Sequence, residues 1–262
     1  MNVSSSKRRR PMAAGVLLLL ALVSTGAAYA VTTSALSAKS SSAANADNAR
    51  QGKLLFTEGC SSCHGLAAQG GSNGPSLVGV GAAAVDFQVG TGRMPMAAAG
   101  VQARRKPPVY TQAEIDKLAA YVASLGPGPS VPKASQYDFS DANVAAGGEI
   151  YRLNCSQCHN YAGKGGALSD GKVAPQLMDA SPKQIYEAMI TGPQSMPVFS
   201  DRQIPAKNKQ EIIAYINYLQ SAPDPGGSAL GRLGPVTETV FLFTVAIGAL
   251  VAFAIWIGSK AR

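Results

Sequence analysis

Cysteine and histidine are scarce in this chain of 262 residues, and both are confined to two short stretches. All four cysteines and both histidines fall in Cys60-Ser61-Ser62-Cys63-His64 and Cys155-Ser156-Gln157-Cys158-His159. Neither half therefore holds the fourth Cys or His of a closed Cys/His zinc site, and only a carboxylate is left to complete one. A disulfide framework would not call for a histidine after each pair. A regular apolar/polar strand alternation is also missing, so no βαβ unit is expected to host a thioredoxin-like dithiol. Aromatic residues make up only 6%, with a single Trp. A small domain built from this material lacks bulky side chains for its core, which suggests that something else fills it. Cations offer no route to nucleic acid. Lys7, Arg8, Arg9, Arg10, Lys260 and Arg262 supply six of the net +8, so the rest of the chain carries +2. There is no basic stripe interleaved with aromatics.

What is abundant lies at the two ends. The run KRRRPMAAGVLLLLALVSTGAAYA has a basic start, an apolar stretch and the small-x-small ending Ala28-Tyr29-Ala30. Residues 1–31 thus read as a signal peptide or an N-terminal membrane anchor. The run VTETVFLFTVAIGALVAFAIWIGSKAR reads as a transmembrane helix over 235–258, followed by a cytoplasmic tail at 259–262. No face of it is polar, which does not suit a helix at the surface of a soluble domain. The middle of the chain is therefore expected on the extracytoplasmic side of the plasma membrane.

That middle repeats itself. QGKLLFTEGCSSCHG in one half answers AGGEIYRLNCSQCHN in the other, with Gly52 and Gly147 each eight residues before the first cysteine. GPSLVG at Gly74 answers APQLMD at Ala174, and TGRMP at Thr91 answers TGPQSMP at Thr191. Each half ends in an amphipathic helix. Ile115, Leu118, Ala119, Val122 and Leu125 share one face of the first; Ile212, Tyr215, Ile216 and Leu219 share one face of the second. Thr111 and Glu114 form a capping box. The order of parts is that of a duplicated domain. The expected organisation is a flexible lead-in at 32–47, a first domain at 48–126, a Pro/Gly-rich linker at 127–140, a second domain at 141–221 and a linker at 222–234.

C-x-x-C-H in an exported chain points to covalently attached haem. Two thiols three residues apart on a helical turn can each bond one vinyl group of the porphyrin, and the following histidine ligates the iron. Cys60, Cys63 and His64 would hold one haem, and Cys155, Cys158 and His159 a second. The other axial position falls to methionine. The first half offers Met94 and Met96; the second offers Met178, Met189 and Met196. The repeat selects Met94 and Met196, each followed by Pro in the segment that opens Thr-Gly, with Met96 as the reserve. Met189 sits in a helical pattern and reads as core. With both axial positions filled, electron transfer is expected rather than catalysis at iron.

These residues resemble class I cytochrome c domains, twice over, across 48–125 and 141–219. The resemblance implies a mainly α fold in which the first and last helices of each domain cross. Gly52 and Phe56 would meet Tyr121, and Gly147 and Tyr151 would meet Tyr215. It also implies that the carbonyls of Pro75 and Pro175 accept a hydrogen bond from the haem histidines. The layout as a whole, with GPSLVGVG, FQVGTGRMP, CHNYAGKGGALSDGK and ITGPQSMP, is similar to the dihaem cytochrome c subunits of actinobacterial cytochrome bcc complexes (cytochrome cc). That family implies a membrane-anchored electron relay from the cytochrome b and Rieske iron–sulfur subunits of a menaquinol-oxidising complex to an aa3-type oxidase. Such a chain is the electron-transfer subunit of a quinol–cytochrome c oxidoreductase, with no substrate chemistry of its own. The alternatives are a free-standing dihaem shuttle in another respiratory chain and, as an enzyme, a dihaem peroxidase with a displaceable sixth ligand.

Overall fold

The computed structural model describes residues 10–222, 230–232 and 235–260. Lys7, Arg8, Arg9, Arg262 and most of the 222–234 linker lie outside the described residues. Helices account for most of what is described, in keeping with the mainly α reading. Helix α1, Arg10–Gly59, runs for 50 residues, about 75 Å at 1.5 Å per residue. It carries the apolar segment Ala13–Ser34 straight into the first domain. The stretch 32–47, read from the sequence as a flexible lead-in, is helical. The reason is local: no Gly or Pro interrupts the chain between Gly26 and Gly52, and alanine, the best helix former, recurs throughout. Small polar residues alone did not break the helix.

A short helix α2, Ser61–His64, follows α1, then α3, Ala82–Gly90, and α4, Gln112–Ser124. The capping box of Thr111 and Glu114 opens α4, and its buried face is Ile115, Leu118, Ala119, Tyr121 and Val122. Helix α4 crosses the C-terminal part of α1. At the crossing, a Cβ on Gly52 would lie 1.9 Å from the Lys117 carbonyl oxygen, so only glycine lets the two backbones meet. One turn further on, Phe56 packs against Tyr121 with ring centroids 5.2 Å apart.

The second domain repeats this. Helix α5, Ala134–Tyr137, lies in the linker; α6, Val144–Asn154, and α7, Ser156–His159, correspond to the end of α1 and to α2. After them come α8, Pro182–Thr191, and α9, Ala206–Ser221. Asn143 caps α6 by accepting from two backbone amides, and Ser181 with Pro182 opens α8. Where α6 crosses α9, a Cβ on Gly147 would sit 1.9 Å from the Glu211 carbonyl oxygen. Tyr151 and Tyr215 pack there with centroids 5.3 Å apart. Ile213, which the sequence reading left off the buried face of α9, is fully buried beside Ile212 and Ile216.

The halves dock through α3 and α8. Lys183 of α8 forms an ion pair with Asp86 of α3, and its Nζ lies 3.8 Å from Glu187 Oε1. Gln112 Nε2 donates to Asp86 Oδ1 at 2.9 Å. Two buried carboxyls share one cation, so they cannot both be charged without a large cost. Burial opposes the Asp86 carboxylate, yet hydrogen bonds from Glu187, Lys183 and Gln112 hold its pKa below the ordinary value. Glu187 takes the other role. Burial first, then its hydrogen bond to Asp86 and the Asp86 charge, push its pKa up to about 9, so it keeps its proton at neutral pH.

The 127–140 linker lies along both domains. Ala83 N–H donates to the Pro129 carbonyl at 3.0 Å on one side, and Gln210 Nε2 donates to the Ser135 carbonyl at 2.9 Å on the other. At the C-terminal end, α10, Pro235–Phe241, a π-helical turn, Leu242–Ile247, and α11, Gly248–Lys260, form a continuous apolar rod. The windows Ala13–Ser34 and Thr237–Lys260 are each long and apolar enough to cross a membrane, and the other described residues do not bury them. Such exposed apolar rods are consistent with a membrane protein.

Candidate cofactor sites

Each C-x-x-C-H stretch is wound into a single turn at the end of a longer helix. In the first, Cys63 N–H and His64 N–H both donate to the Cys60 carbonyl, at 3.2 and 3.0 Å. In the second, Cys158 N–H and His159 N–H both donate to the Cys155 carbonyl, at 3.2 and 2.9 Å. The four cysteines are free of disulfides. Cys60 packs against the first core and Cys155 against the second. Burial, reinforced by the neighbouring thiol, pushes Cys60 up to about 11 and Cys155 up to about 12. These sulfurs face apolar surroundings and are uncharged at neutral pH, as a thioether sulfur also is.

The histidines are held alike. His64 Nδ1–H donates to the Pro75 carbonyl at 2.8 Å, and His159 Nδ1–H donates to the Pro175 carbonyl at 2.9 Å. That bond fixes the tautomer and leaves Nε2 as the free lone pair. Burial lowers the pKa of His159, against the raising effect of the Pro175 carbonyl, and so favours the neutral imidazole that a metal takes.

The loops that bring the prolines round share a backbone path. Gly65, Ala68 and Gly70 have positive φ in the first half; Asn160, Gly163 and Gly165 do so at the same offsets in the second. The second loop then carries five extra residues before its proline. They form a small hairpin in which β1, Gly166–Ala167, pairs antiparallel with β2, Val173–Ala174. Sequence reasoning missed it because each strand has only two residues, too few for a periodic pattern.

The methionines divide in the same way. Met94 packs against the first core and Met196 against the second. The Met96 methyl lies instead beside Gly100. Met189 is buried in the second core, as its helical pattern implied, and also borders the cavity there. That cavity, of about 550 Å³, is lined by Cys155, Cys158, His159 and Met196 together with apolar residues such as Leu177, Ile185, Phe199 and Ile216. Two thiols, an imidazole and a thioether around an apolar cleft are the donor set that a covalently held haem requires. The residues present fit that group.

Similarity to known proteins agrees. A model of the family described as cytochrome c oxidase, cbb3-type, subunit III matches the chain twice, at residues 47–122 and 142–216. Over 271 residues the chain is 44% identical to a cytochrome bc1 complex cytochrome c subunit of Corynebacterium efficiens, covering 97% of this chain and 91% of that one. A Corynebacterium diphtheriae protein of the same description is 44% identical, with 99% and 98% covered. One from Mycobacterium tuberculosis is 44% identical, with 96% and 92% covered. Two cytochrome c domains imply covalently bound haem c, and the match runs through both apolar ends as well as the domains. The chain belongs to the family of cytochrome c subunits of the cytochrome bc1 complex.

Proposed function

We propose that this chain carries two haems c, each ligated by His and Met, and relays electrons from the cytochrome b and Rieske part of a menaquinol-oxidising complex to an aa3-type oxidase. Cys60, Cys63, His64 and Met94 hold the first haem; Cys155, Cys158, His159 and Met196 hold the second. Pro75 and Pro175 orient the histidines. The observation that carries this reading is the same unit found twice: a C-x-x-C-H turn, a histidine bonded to a proline carbonyl, and a Met-Pro loop packed on the same core.

When bound, haem iron supplies one-electron oxidation and reduction. The chain's own residues do the rest. The thiols fix the group before the domain closes around it. The Pro carbonyls hold each Nε2 on its line of approach and raise its basicity. Met94 and Met196 would each offer a thioether to the haem iron, a ligand type that raises the reduction potential. The C-terminal apolar helix would span the membrane, with Lys260 and Arg262 on the cytoplasmic side, and the N-terminal one would act as export signal or second anchor, so that the domains lie on the outer side in either case.

Purification of the membrane complex with a pyridine haemochrome assay tests the reading. Two haems c per chain, together with cytochrome b, Rieske and oxidase subunits, are expected. One haem per chain, or a chain that purifies alone, contradicts it. Met94→Ala should open the reduced first site to carbon monoxide; an unchanged spectrum moves the ligand to Met96.

A further inference from the structure

The wall of the second cavity is not built by the second half alone. Phe87, Arg93 and the loop Gln102–Arg105, all from the first half, line it as well. This loop is the part of the first domain without a counterpart in the repeat, since the chain from Met94 to α4 is longer than that from Met196 to α9. It is fastened across the gap by two reciprocal amide pairs. Gln102 Nε2 donates to the Val173 carbonyl at 2.6 Å while Val173 N–H donates to Gln102 Oε1 at 2.9 Å. Gln194 Nε2 donates to the Ala103 carbonyl at 3.0 Å while Ala103 N–H donates to Gln194 Oε1 at 2.9 Å. Arg105 Nη1 adds a bond to the Asp179 carbonyl at 2.9 Å. Val173 is two residues before Pro175 and Gln194 two before Met196, so the loop is fastened to the segments that carry both sides of the second ligand set.

Arg93 stands out in this wall. It is 8% exposed, and its Nη1 is buried with no hydrogen-bond partner. The guanidinium carbon sits 4.9 Å over the Phe87 ring. The charge it does feel is Arg105, of like sign. None of the ion pairs among the described residues includes Arg93, Arg104 or Arg105. A buried guanidinium without a carboxylate, beside a second guanidinium, is costly unless an anion joins it. A haem bonded through its vinyl groups to Cys155 and Cys158 brings two carboxylates, its propionates, to the rest of its rim.

We infer that Arg93, with Arg105 beside it, is the carboxylate-binding wall of the second haem, supplied by the first domain across the domain boundary. Resting on the haem reading above, the inference makes the second site incomplete without the first half. Planar, permanently charged guanidinium suits bidentate pairing with carboxylate in a closed cavity. The fixed cations also disfavour the more positively charged ferric state, so they raise the potential of the second haem.

The test is redox titration of the full chain in its complex, with Arg93→Gln, Arg93→Lys and the milder, exposed Arg105→Gln. The wave that Met196→His displaces identifies the second haem. Arg93→Gln should shift its reduction equilibrium about tenfold towards the ferric form, 59 mV lower for one electron. Arg105→Gln should shift it less in the same direction, and Arg93→Lys should recover most of the loss. The other wave should stay within threefold of wild type. A second-haem wave unmoved by both Arg93→Gln and Arg105→Gln, or a shift confined to the first haem, overturns the inference. Haem counts on the same samples separate the two levels: fewer than two haems in the wild-type chain overturns the haem reading itself.

Discussion

The two halves of this chain are close copies in their frame and unlike at their margins. Both cross two helices at a glycine, stack a pair of aromatic rings beside it, wind C-x-x-C-H into one turn and bond its histidine to a proline carbonyl. The first half then adds a long loop after Met94; the second adds a hairpin before Pro175. Both additions lie at the boundary between the halves, where Gln102 of the loop bonds Val173 of the hairpin. The comparison teaches that duplication conserved what holds a cofactor, while divergence built what holds the two copies together.

The comparison can be broken most severely at the cysteines. On the proposed reading of one haem per half, Cys60→Ala and Cys155→Ala should each halve the haem stain on a denaturing gel. A stain of full strength in either variant contradicts the assignment. The shared frame is tested next. Gly52→Ala and Gly147→Ala each drive a Cβ into a backbone carbonyl, and each should cost about 3 kcal/mol, measured as a lowered melting temperature. Equal losses would show that the two crossings are equivalent; a loss in only one would show that the repeat is structural in sequence alone.

The boundary gives a smaller, pH-dependent effect. Glu187 has its folded pKa raised from 4.5 to about 9, so its stabilising proton is fully present below 4.5 and lost as pH rises through 9. Melting of the wild-type chain should therefore weaken from pH 7 to 9, by at most about 3 kcal/mol at about 1.4 kcal/mol per pH unit. Glu187→Gln keeps a donor towards Asp86 and should flatten that slope; an unchanged slope would place the titrating group elsewhere. Asp86 acts in the opposite direction. Its pKa is depressed, so its contribution is present at neutral pH and lost in acid, below the ordinary carboxylate range.

The smallest effect is expected at the strap, the loop Gln102–Arg105 that is bonded to the second half. Gln102→Ala removes both bonds to Val173 and should cost about 1 kcal/mol at this exposed site. Its signature is local: the Val173 amide should exchange its hydrogen several-fold faster, with both haems retained. Unaltered exchange at Val173 would show that the loop is held by its other contacts.

Much of the frame was legible before any coordinates. The C-x-x-C-H turns, the helix faces and the Thr111 cap have local signatures, because each is set by residues within one or two turns of one another. The crossing residues Gly52, Phe56 and Tyr121 were legible only through resemblance, since nothing local says which helices meet. The 32–47 stretch is helical where its small polar residues suggest a flexible lead-in, because it holds no Gly or Pro to interrupt the helix. The strap and the acid pair had no local signature. Gln102 meets a residue 71 positions away, and Ala103 one 91 positions away.

The amino-acid sequence by itself determined where the two C-x-x-C-H turns fall, that the domain is duplicated and that apolar segments flank it. Those features follow from residue type and spacing along a single turn or helix. Only the tertiary structure decided that Arg93, stacked on Phe87 of the first half, lines the second half's cavity, that Glu187 keeps its proton beside Asp86, and that the 102–105 loop is bonded to the second half. A buried charge or proton is set by what the fold brings beside it, and here the fold joins residues that the chain keeps far apart.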